Sequence, residues 1–184
     1  VYRGFAKLIY GSTRVVGVIG NPVEHTASPA MHNAAIKEMG LDYVYVAFRV
    51  GHAELSEAIE GIRALNIAGT NVTVPHKKAV MAYLDDVSPE AKAIGAVNTI
   101  VNKDGKLIGH NTDAFGFTKS IGLEGGLEKW PSIVVLLGAG GAARAVLYAL
   151  LQRPEIERIH IINRTMARSE LLANEMDQKG RVST

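Results

Sequence analysis

The sequence predicts an α/β fold in two parts, a parallel-sheet domain followed by a smaller βαβ domain. Three observations predict it. Short β-branched runs alternate with helix-periodic segments, as in parallel sheets with crossover helices; a Gly- and Glu-rich stretch interrupts this alternation before Trp130-Pro131; and an all-apolar strand follows that stretch. We therefore place the first domain at residues 1-121, a linker at 122-131 and the second domain at 132-184.

Composition excludes several classes of protein. With 184 residues, 47% hydrophobic and 21% charged, the chain can build one large or two small globular cores. A net charge of +2 gives no reason to expect a nucleic-acid or membrane partner, and six scattered histidines without any cysteine predict no metal site. No secretory signal is recognisable, so we expect a cytoplasmic protein; whether residues 1-13 are native stays open.

Strands and helices alternate through the first domain. Three strands are predicted at Val15–Ile19, Tyr43–Val50 and Ile67–Val74, with helices at 28–39 and Ala53–Leu65 between them. Ser28-Pro29 and Ser88-Pro89 are typical of a helix cap followed by proline in the first turn. A short helix should carry Ala79, Val80 and Tyr83 inward. Beyond it come a hairpin of Ala96–Val101 and Lys106–His110 around Asp104-Gly105, then a helix at 114–121.

The second domain is predicted to be incomplete. Its elements are strands Ile133–Leu137 and Arg158–Asn163 and helices Gly141–Gln152 and Met166–Lys179. Two strands with two helices leave a sheet face and an edge uncovered, so either further chain or another chain should cover them; the pattern is compatible with a homodimer without requiring one. Ser132–Leu151 is apolar enough to suggest a membrane span, but Arg144 and three glycines within it favour a strand, a turn and a helix.

The turn after the apolar strand matches the glycine pattern of dinucleotide-binding Rossmann domains. That pattern is spread over Gly138, Ala139, Gly140, Gly141, Ala142 and Ala143. Its first glycine allows a tight turn, its second lets a pyrophosphate approach the backbone, and its last small residue lets helix and strand pack closely. The alternative, a purely steric use of glycine, is less consistent with the strand and helix on either side.

The end of the next strand bears on the choice of nucleotide. An NAD enzyme presents Asp or Glu there to the ribose hydroxyls, whereas this chain has Asn163-Arg164-Thr165 with Arg168 one turn later. A guanidinium cannot accept a hydroxyl hydrogen bond, but it can bind a 2′-phosphate bidentately. We therefore expect NADP(H) as the cofactor. The alternative is an arginine that only solvates a helix start, where a cation is unfavourable.

Polar side chains of the first domain gather where parallel sheets bind ligands, at and beyond the carboxyl ends of strands. These candidates are Thr26, Ser28, Asn71, Thr73, Lys77, Asn98 and Asp113. Hydroxyls, amides and one ammonium suit a small polyhydroxylated anion. Each has a purely structural alternative when taken singly: Ser28 and Asp113 could be helix caps, and Lys77 could be a solvated lysine beside Lys78.

Together these segments resemble the ordered motifs of the shikimate dehydrogenase family. The resemblance rests on Gly20-Asn21-Pro22 with 25–29, on 71–77, on 95–99, on 109–113, on 138–144 and on 163–165. It implies NADPH-dependent, reversible reduction of 3-dehydroshikimate to shikimate on the route to chorismate and the aromatic amino acids. It further implies that Thr26 and Ser28 bind the substrate carboxylate, that Asn71, Thr73, Asn98 and Asp113 bind the ring hydroxyls, and that Lys77 and Asp113 form the catalytic pair.

Two departures from the family pattern bear on function. Thr26 stands where the family usually has serine, which keeps the hydroxyl and adds a methyl group. Family members also continue well past residue 184, with a tail that completes the cofactor domain. Two alternatives stay open. One is a quinate/shikimate dehydrogenase that uses NAD, against which Arg164 argues. The other, which the missing tail supports, is a truncated, non-catalytic fragment that binds shikimate.

Overall fold

A computed structural model describes residues 9–123, 125–127, 129–177 and 179–184. They form two compact units. Unit 1 contains the described residues up to Asp86 together with Thr99–Gly109, and unit 2 contains Val87–Asn98 and the described residues from His110 onward. The segments 87–98 and 110–121, which the sequence groups with the first domain, therefore cluster with unit 2. The predicted linker includes Glu124 and Glu128, and the lead includes residues 1–8; these lie outside the described residues.

The first sheet has six strands in the order β2-β1-β3-β5-β6-β4. Their bounds are β1 Arg14–Gly20, β2 Tyr43–Arg49, β3 Gly69–Val72, β4 Asp86–Val87, β5 Thr99–Lys103 and β6 Lys106–His110. Strand β1 pairs in parallel with β2 and β3, as the β-α alternation predicts, and β5 runs antiparallel to β3. The predicted turn is confirmed, since Asp104 and Gly105 both have positive φ, 53° and 87°.

The helices that accompany this part of the chain are α1 Ser28–Glu38, α2 Leu55–Ala64, α3 Pro89–Ile94 and α4 Asp113–Leu123, with a 3₁₀ helix at Ala79–Tyr83. Leu55, Ile59 and Ile62 of α2 are buried as their spacing predicts, whereas Leu65, which the same spacing placed on this face, is exposed because the helix ends at Ala64. The Ser88 hydroxyl accepts the Ala91 N–H as a cap should. Two further predictions are wrong. Ala79 and Tyr83 are exposed, because a 3₁₀ helix turns only Val80 inward, and Ser28 does not cap α1, because it is already the first residue of that helix.

The second sheet is parallel, with the order β7-β8-β9. It consists of β7 Ile133–Leu137, β8 Arg158–Ile162 and β9 Val182–Ser183, joined through α5 Gly141–Leu151 and α6 Met166–Met176. The strand–turn–helix interpretation of 132–151 is confirmed, and no helix of the described residues is long and apolar enough to cross a membrane. The sequence does not predict β9, because two residues are too short to produce a period.

Only one face of the second sheet is packed among the described residues. Leu147 and Leu150 of α5 and Leu172 of α6 form a core with Ile159 and Ile161 of β8. The opposite face carries four exposed apolar side chains, which are Ile133 at 57%, Val135 at 55%, Leu137 at 76% and Ile162 at 58% exposure. The uncovered face that the sequence predicts is therefore present in this part of the chain.

Candidate functional site

The carboxyl ends of β1 and β3 meet in unit 1. Asn21 N–H donates to the Val74 carbonyl at 2.9 Å, and a Cβ added to Gly20 would lie 2.3 Å from the Thr73 methyl carbon. Gly20 is therefore needed because a side chain has no room there. The peptide bonds Asn21–Pro22 and Val74–Pro75 are both cis. The loops after the two strands thus run side by side, as expected for neighbouring parallel strands.

Thr26 and Ser28 form one hydroxyl pair beyond β1. The Thr26 hydroxyl oxygen accepts the Ser28 N–H at 3.2 Å, and its proton is donated to Ser28 Oγ at 3.1 Å. Both residues are half-buried. The Ser28 hydroxyl does not cap the helix; it forms hydrogen bonds with the Thr26 hydroxyl and the Tyr45 phenol instead. Two adjacent hydroxyls at the amino end of α1, where backbone N–H groups are directed outward, suit a carboxylate.

A third polar group beside them is Asn71, which the structure orients through two partners. The Tyr45 hydroxyl donates to Asn71 Oδ1 at 2.7 Å, and Asn71 Nδ2 donates to Thr99 Oγ1 at 3.3 Å across the β3–β5 pair. Burial raises the pKa of Tyr45, opposed by a hydrogen bond with Ser28, so the phenol stays protonated as a donor. This network therefore fixes which way the Asn71 amide faces.

Sequence reasoning missed Tyr45 and Thr99. Tyr45 lies in a strand of alternating aromatic and β-branched residues, which looks like core, and it is indeed 4% exposed. Its ring stacks on His32, with 4.2 Å between centroids, and its backbone N–H and carbonyl are both bound by the Asn33 amide. Nothing in a single sequence distinguishes such a phenol from packing residues.

Lys77 follows a buried histidine. The His76 side chain is fully buried and its Nε2 lies 2.7 Å from the Val50 carbonyl, while the His76 carbonyl accepts the Val80 N–H. Lys77 is half-buried and Lys78 is exposed, although neighbouring lysines look alike in the sequence. His76 therefore anchors the turn that holds Lys77, and the two neighbouring lysines differ in burial.

Asn98 and Asp113 are brought together in unit 2. Asn98 Nδ2 donates to Asp113 Oδ1 at 2.7 Å and to Thr112 Oγ1 at 2.9 Å, while Asn98 Oδ1 accepts the Thr112 N–H at 3.0 Å. Asn111 caps the start of α4, because its Oδ1 accepts the Asp113 N–H. The residue that caps α4 is therefore Asn111 rather than Asp113, whose carboxylate accepts from Asn98 Nδ2. Lys77 belongs to unit 1, so its pairing with Asp113 stays a prediction.

The glycine turn of unit 2 has the shape that an anionic ligand needs. Gly138 has φ of +107°, which L side chains rarely adopt, and no atom of the described residues lies within 4 Å of a Cβ built on Gly138 or Gly140. In this part of the chain no side chain caps the amino end of α5. Ala143, the third small residue of the pattern, is buried against the sheet as predicted. Open space in front of an uncapped helix amino end fits the pyrophosphate of a dinucleotide.

Arg164 and its neighbours follow β8 at the same edge of the second sheet. Asn163 Nδ2 donates to the Thr165 carbonyl at 2.8 Å and shapes the turn, whereas Arg164, Thr165 and Arg168 are exposed. Arg164 and Arg168 thus place two guanidinium groups around the start of α6 with no carboxylate in 163–168. Such a turn fits a phosphate better than a ribose diol.

A separate cavity of about 340 Å³ lies in unit 1 between α1 and the sheet. Most of its lining is apolar, including Val16, Ile36 and Ile100. A mostly apolar lining does not suit a polyhydroxylated anion, although Tyr45, Asn71 and Thr99 also belong to it.

Comparison with known proteins covers both units. A family model for the "Shikimate dehydrogenase substrate binding domain" matches residues 18–100, and one for "Shikimate / quinate 5-dehydrogenase" matches residues 128–183. The chain is 53% identical over 166 residues to the shikimate dehydrogenase (NADP(+)) of Symbiobacterium thermophilum, covering 90% of this chain and 56% of that protein. It is 50% identical to that of Methanocaldococcus jannaschii, covering 94% and 60%. The chain therefore spans little more than half the length of these relatives.

Solved structures agree in fold. The crystal structure of shikimate dehydrogenase from Aquifex aeolicus is 43% identical, with a TM-score of 0.86 over 96% of this chain and 65% of that one. A structure of shikimate 5-dehydrogenase from Thermus thermophilus, in complex with NADP(H) and shikimate, is 40% identical, with a TM-score of 0.82 over 93% and 63%. The residues matched by the two family models include the ends of β1 and β3 and the glycine turn.

Proposed function

The chain belongs to the shikimate dehydrogenase family, and we propose that the whole protein catalyses the reversible, NADPH-dependent reduction of 3-dehydroshikimate to shikimate. One observation carries the proposal. The polar residues of the family motifs lie at the ends of strands and the starts of helices, where parallel sheets bind ligands, and the glycine turn has open space in front of it. We further propose that the enzyme works in the cytoplasm, on the route to chorismate and the aromatic amino acids.

Substrate binding is proposed for both units. In unit 1 the Thr26–Ser28 hydroxyl pair would receive the carboxylate, and Asn71 and Thr73 would bind ring hydroxyls. The Tyr45 hydrogen bond supports this role for Asn71, because it fixes the orientation of the amide at the end of β3, where Nδ2 also donates to Thr99 Oγ1. In unit 2, Asn98 and Asp113 would bind the hydroxyls nearest to the reacting carbon.

Lys77 is the proposed proton donor and acceptor. Addition of hydride to the carbonyl carbon breaks the C=O π bond and leaves an alkoxide, which takes a proton from the Lys77 ammonium to give the alcohol. In the reverse direction neutral Lys77 takes the hydroxyl proton as hydride leaves the carbon. The Asp113 carboxylate is proposed to hold the ammonium in place for this transfer.

The cofactor site is proposed at the glycine turn. When bound, NADPH supplies the hydride. Backbone groups of Gly138, Ala139, Gly140, Gly141 and Ala142 would receive the pyrophosphate, and Asn163, Arg164, Thr165 and Arg168 would surround the 2′-phosphate. The uncapped amino end of α5 and the two exposed arginines, Arg164 and Arg168, support this assignment.

The test is an assay of the protein encoded by the complete gene. Purified protein is mixed with shikimate and NADP⁺, and the reduced nicotinamide is followed by its absorbance. We expect turnover with shikimate and NADP⁺, and at least about tenfold lower kcat/KM with quinate or with NAD⁺. Equal turnover of quinate with NAD⁺ would favour the alternative dehydrogenase, and no turnover of any pair would refute the proposal.

The binding-fragment alternative is tested on the 184-residue chain itself. The exposed apolar face of the second sheet favours it, because the unit proposed to bind the cofactor is packed on one side only among the described residues. Shikimate and NADPH are added separately while thermal unfolding is followed, since only a ligand of the folded form raises Tm. A rise with shikimate alone identifies a binding fragment, whereas rises with both ligands and turnover show that the chain suffices for catalysis.

A further inference from the structure

Arg144, in the first turn of α5, makes contacts that the glycine pattern does not explain. Its side chain is only 11% exposed. The Nε–H donates to the Ile94 carbonyl at 2.7 Å, and Nη1 lies 2.6 Å from Glu175 Oε2. One guanidinium thus joins α5 to the end of α3 and to α6. The proposed pyrophosphate site at the glycine turn consists of backbone groups, so it does not account for the contacts of the Arg144 side chain.

The contact with α3 is close and specific. Ile94 is the last residue of α3, and its carbonyl is one of the groups that a helix end leaves without a helical partner. Gly95 follows with φ of +69°, and a Cβ there would lie 2.5 Å from Arg144 Nη2. The guanidinium therefore lies directly against the backbone at Gly95, where only glycine leaves it room.

The segment that begins at this contact leads to Asn98. Ala96 and Val97 are fully buried, and the Ala96 carbonyl accepts from Asn111 Nδ2 at 2.9 Å. At the far end Asn98 N–H donates to the His110 carbonyl, and its amide holds the Asp113 carboxylate. A four-residue strap, residues 95–98, with no exposed member thus runs from the Arg144 guanidinium to the proposed substrate groups.

We infer that Arg144 is a positioning residue, which sets where the Asn98–Asp113 pair stands relative to the glycine turn at the amino end of its own helix. The inference rests on the proposed function, since that turn would bind the dinucleotide and that pair the substrate. The Arg144 guanidinium contacts the Ile94 carbonyl and Glu175, neither of which is a proposed ligand-binding group. A positioning group of this kind should affect catalysis more than it affects the binding of either ligand alone, because each half of the site stays intact.

Glu175 supplies the matched control. It is an exposed residue of α6, and it binds the same guanidinium from the side of α6 rather than from the strap. Glu175→Gln removes the ion pair and leaves the Nε–H bond to Ile94. Arg144→Gln removes both contacts. Arg144→Lys keeps a cation for Glu175, but an ammonium lacks the planar guanidinium that binds the Ile94 carbonyl and Glu175 at the same time.

The variants are compared in the protein encoded by the complete gene. We expect Arg144→Gln to lower kcat about 10- to 100-fold, with dissociation constants for shikimate alone and NADP⁺ alone within about threefold of wild type. Glu175→Gln should keep kcat within about twofold. The deuterium isotope effect on kcat, measured with C-deuterated shikimate, should increase in Arg144→Gln because hydride transfer becomes slower relative to product release. A purely structural arginine would lower Tm and leave kcat and this isotope effect unchanged, which overturns the inference.

A second readout keeps the inference separate from the proposed function. The side-chain amide signals of Asn98 are followed by NMR in unliganded protein. They should move in Arg144→Gln and Arg144→Lys and stay in place in Glu175→Gln, whether or not the enzyme turns over. Unmoved Asn98 signals overturn the positioning role, whereas an inactive wild type with moved signals overturns only the proposed function. If Arg144→Gln does not fold, Arg144→Lys decides in the same way.

Discussion

The two sheets of this molecule begin with similar strands and use them differently. β1 becomes fully buried along its second half, from Gly17 to Gly20, whereas β7 alternates between half-buried and exposed apolar residues. Both strands are apolar in sequence, and both end at a glycine turn. The difference shows that an apolar strand sequence predicts burial on both faces only when other segments pack against both faces of its sheet. The proposed ligand groups also differ between the strand ends and the glycine turn, since polar side chains follow β1 and β3 whereas backbone groups line the turn after β7.

The largest expected effect separates chemistry from binding in unit 1. In the protein encoded by the complete gene, Lys77→Ala should lower kcat about 10²- to 10⁴-fold, because the alkoxide loses its proton donor. Shikimate affinity should stay within severalfold. Steady-state kinetics and calorimetric binding measure the two quantities. Lys78→Ala, at the exposed neighbour, is the control and should keep kcat within about twofold. Equal losses in both variants, or unchanged kcat in Lys77→Ala, would rule out the proposed role.

The next effect concerns nucleotide choice in unit 2. Arg164→Ala should raise KM for NADPH about 10- to 100-fold, as expected for a charge-assisted phosphate contact of about 1.5–3 kcal/mol, and leave the use of NADH little changed. Arg158→Ala is the control, since Arg158 is also exposed but is the first residue of β8, whereas Arg164 follows the end of that strand. Parallel losses with NADPH and NADH would make Arg164 a structural residue instead.

The two faces of the second sheet can be compared at adjacent residues. Ile161 is 2% exposed and Ile162 is 58% exposed. In the 184-residue chain, Ile161→Ala should lower the free energy of unfolding by about 2–5 kcal/mol, because it leaves a cavity in the core. Ile162→Ala should cost less than about 1 kcal/mol, mainly through strand propensity. Urea unfolding measures both. Similar losses would mean that the chain covers this face in solution, which contradicts the described packing.

The smallest effect is a pH dependence at the hairpin end of the first sheet. A hydrogen bond from Arg63 holds the pKa of the Asp85 carboxyl below its usual value, and the Leu107 N–H adds to this. A lowered folded pKa means that the contribution to stability is present above about pH 4 and is lost as pH falls through the lowered pKa. The difference in urea midpoint between wild type and Asp85→Asn should therefore shrink on acidification. A difference that persists unchanged at low pH would show that the carboxylate charge is not responsible.

Much of the fold is predictable because it depends on local chemistry. The β-α alternation, the Asp104-Gly105 turn, the Ser88 cap and the strand–turn–helix around Gly138 follow from period, turn residues and capping, which act over a few positions. The two-residue β9 and the exposed side of the 3₁₀ helix are too short for a period to show. Ser28 has the residue type of a cap, but its backbone is already helical, which no local pattern reveals.

The candidate site divides in the same way. Residue types at strand ends identify Thr26, Asn71, Lys77 and Asp113 as candidates. The partners that orient them come from elsewhere in the chain, as when Tyr45 of β2 donates to Asn71 or Arg144 of α5 reaches the end of α3. Those partners look like core or like an ordinary helix residue in the sequence. Their roles are therefore visible only once distant segments are brought together.

The sequence by itself determined the order of the longer strands and helices and the glycine turn, and it supplied the two arginines after β8 on which the proposed NADP(H) preference rests, because each depends on residues a few positions apart. Tertiary structure alone decided that segments 87–98 and 110–121 join the second unit, which phenol fixes the Asn71 amide and which face of the second sheet stays bare. Those outcomes depend on packing between segments tens of residues apart, and no local periodicity records which segment another will meet.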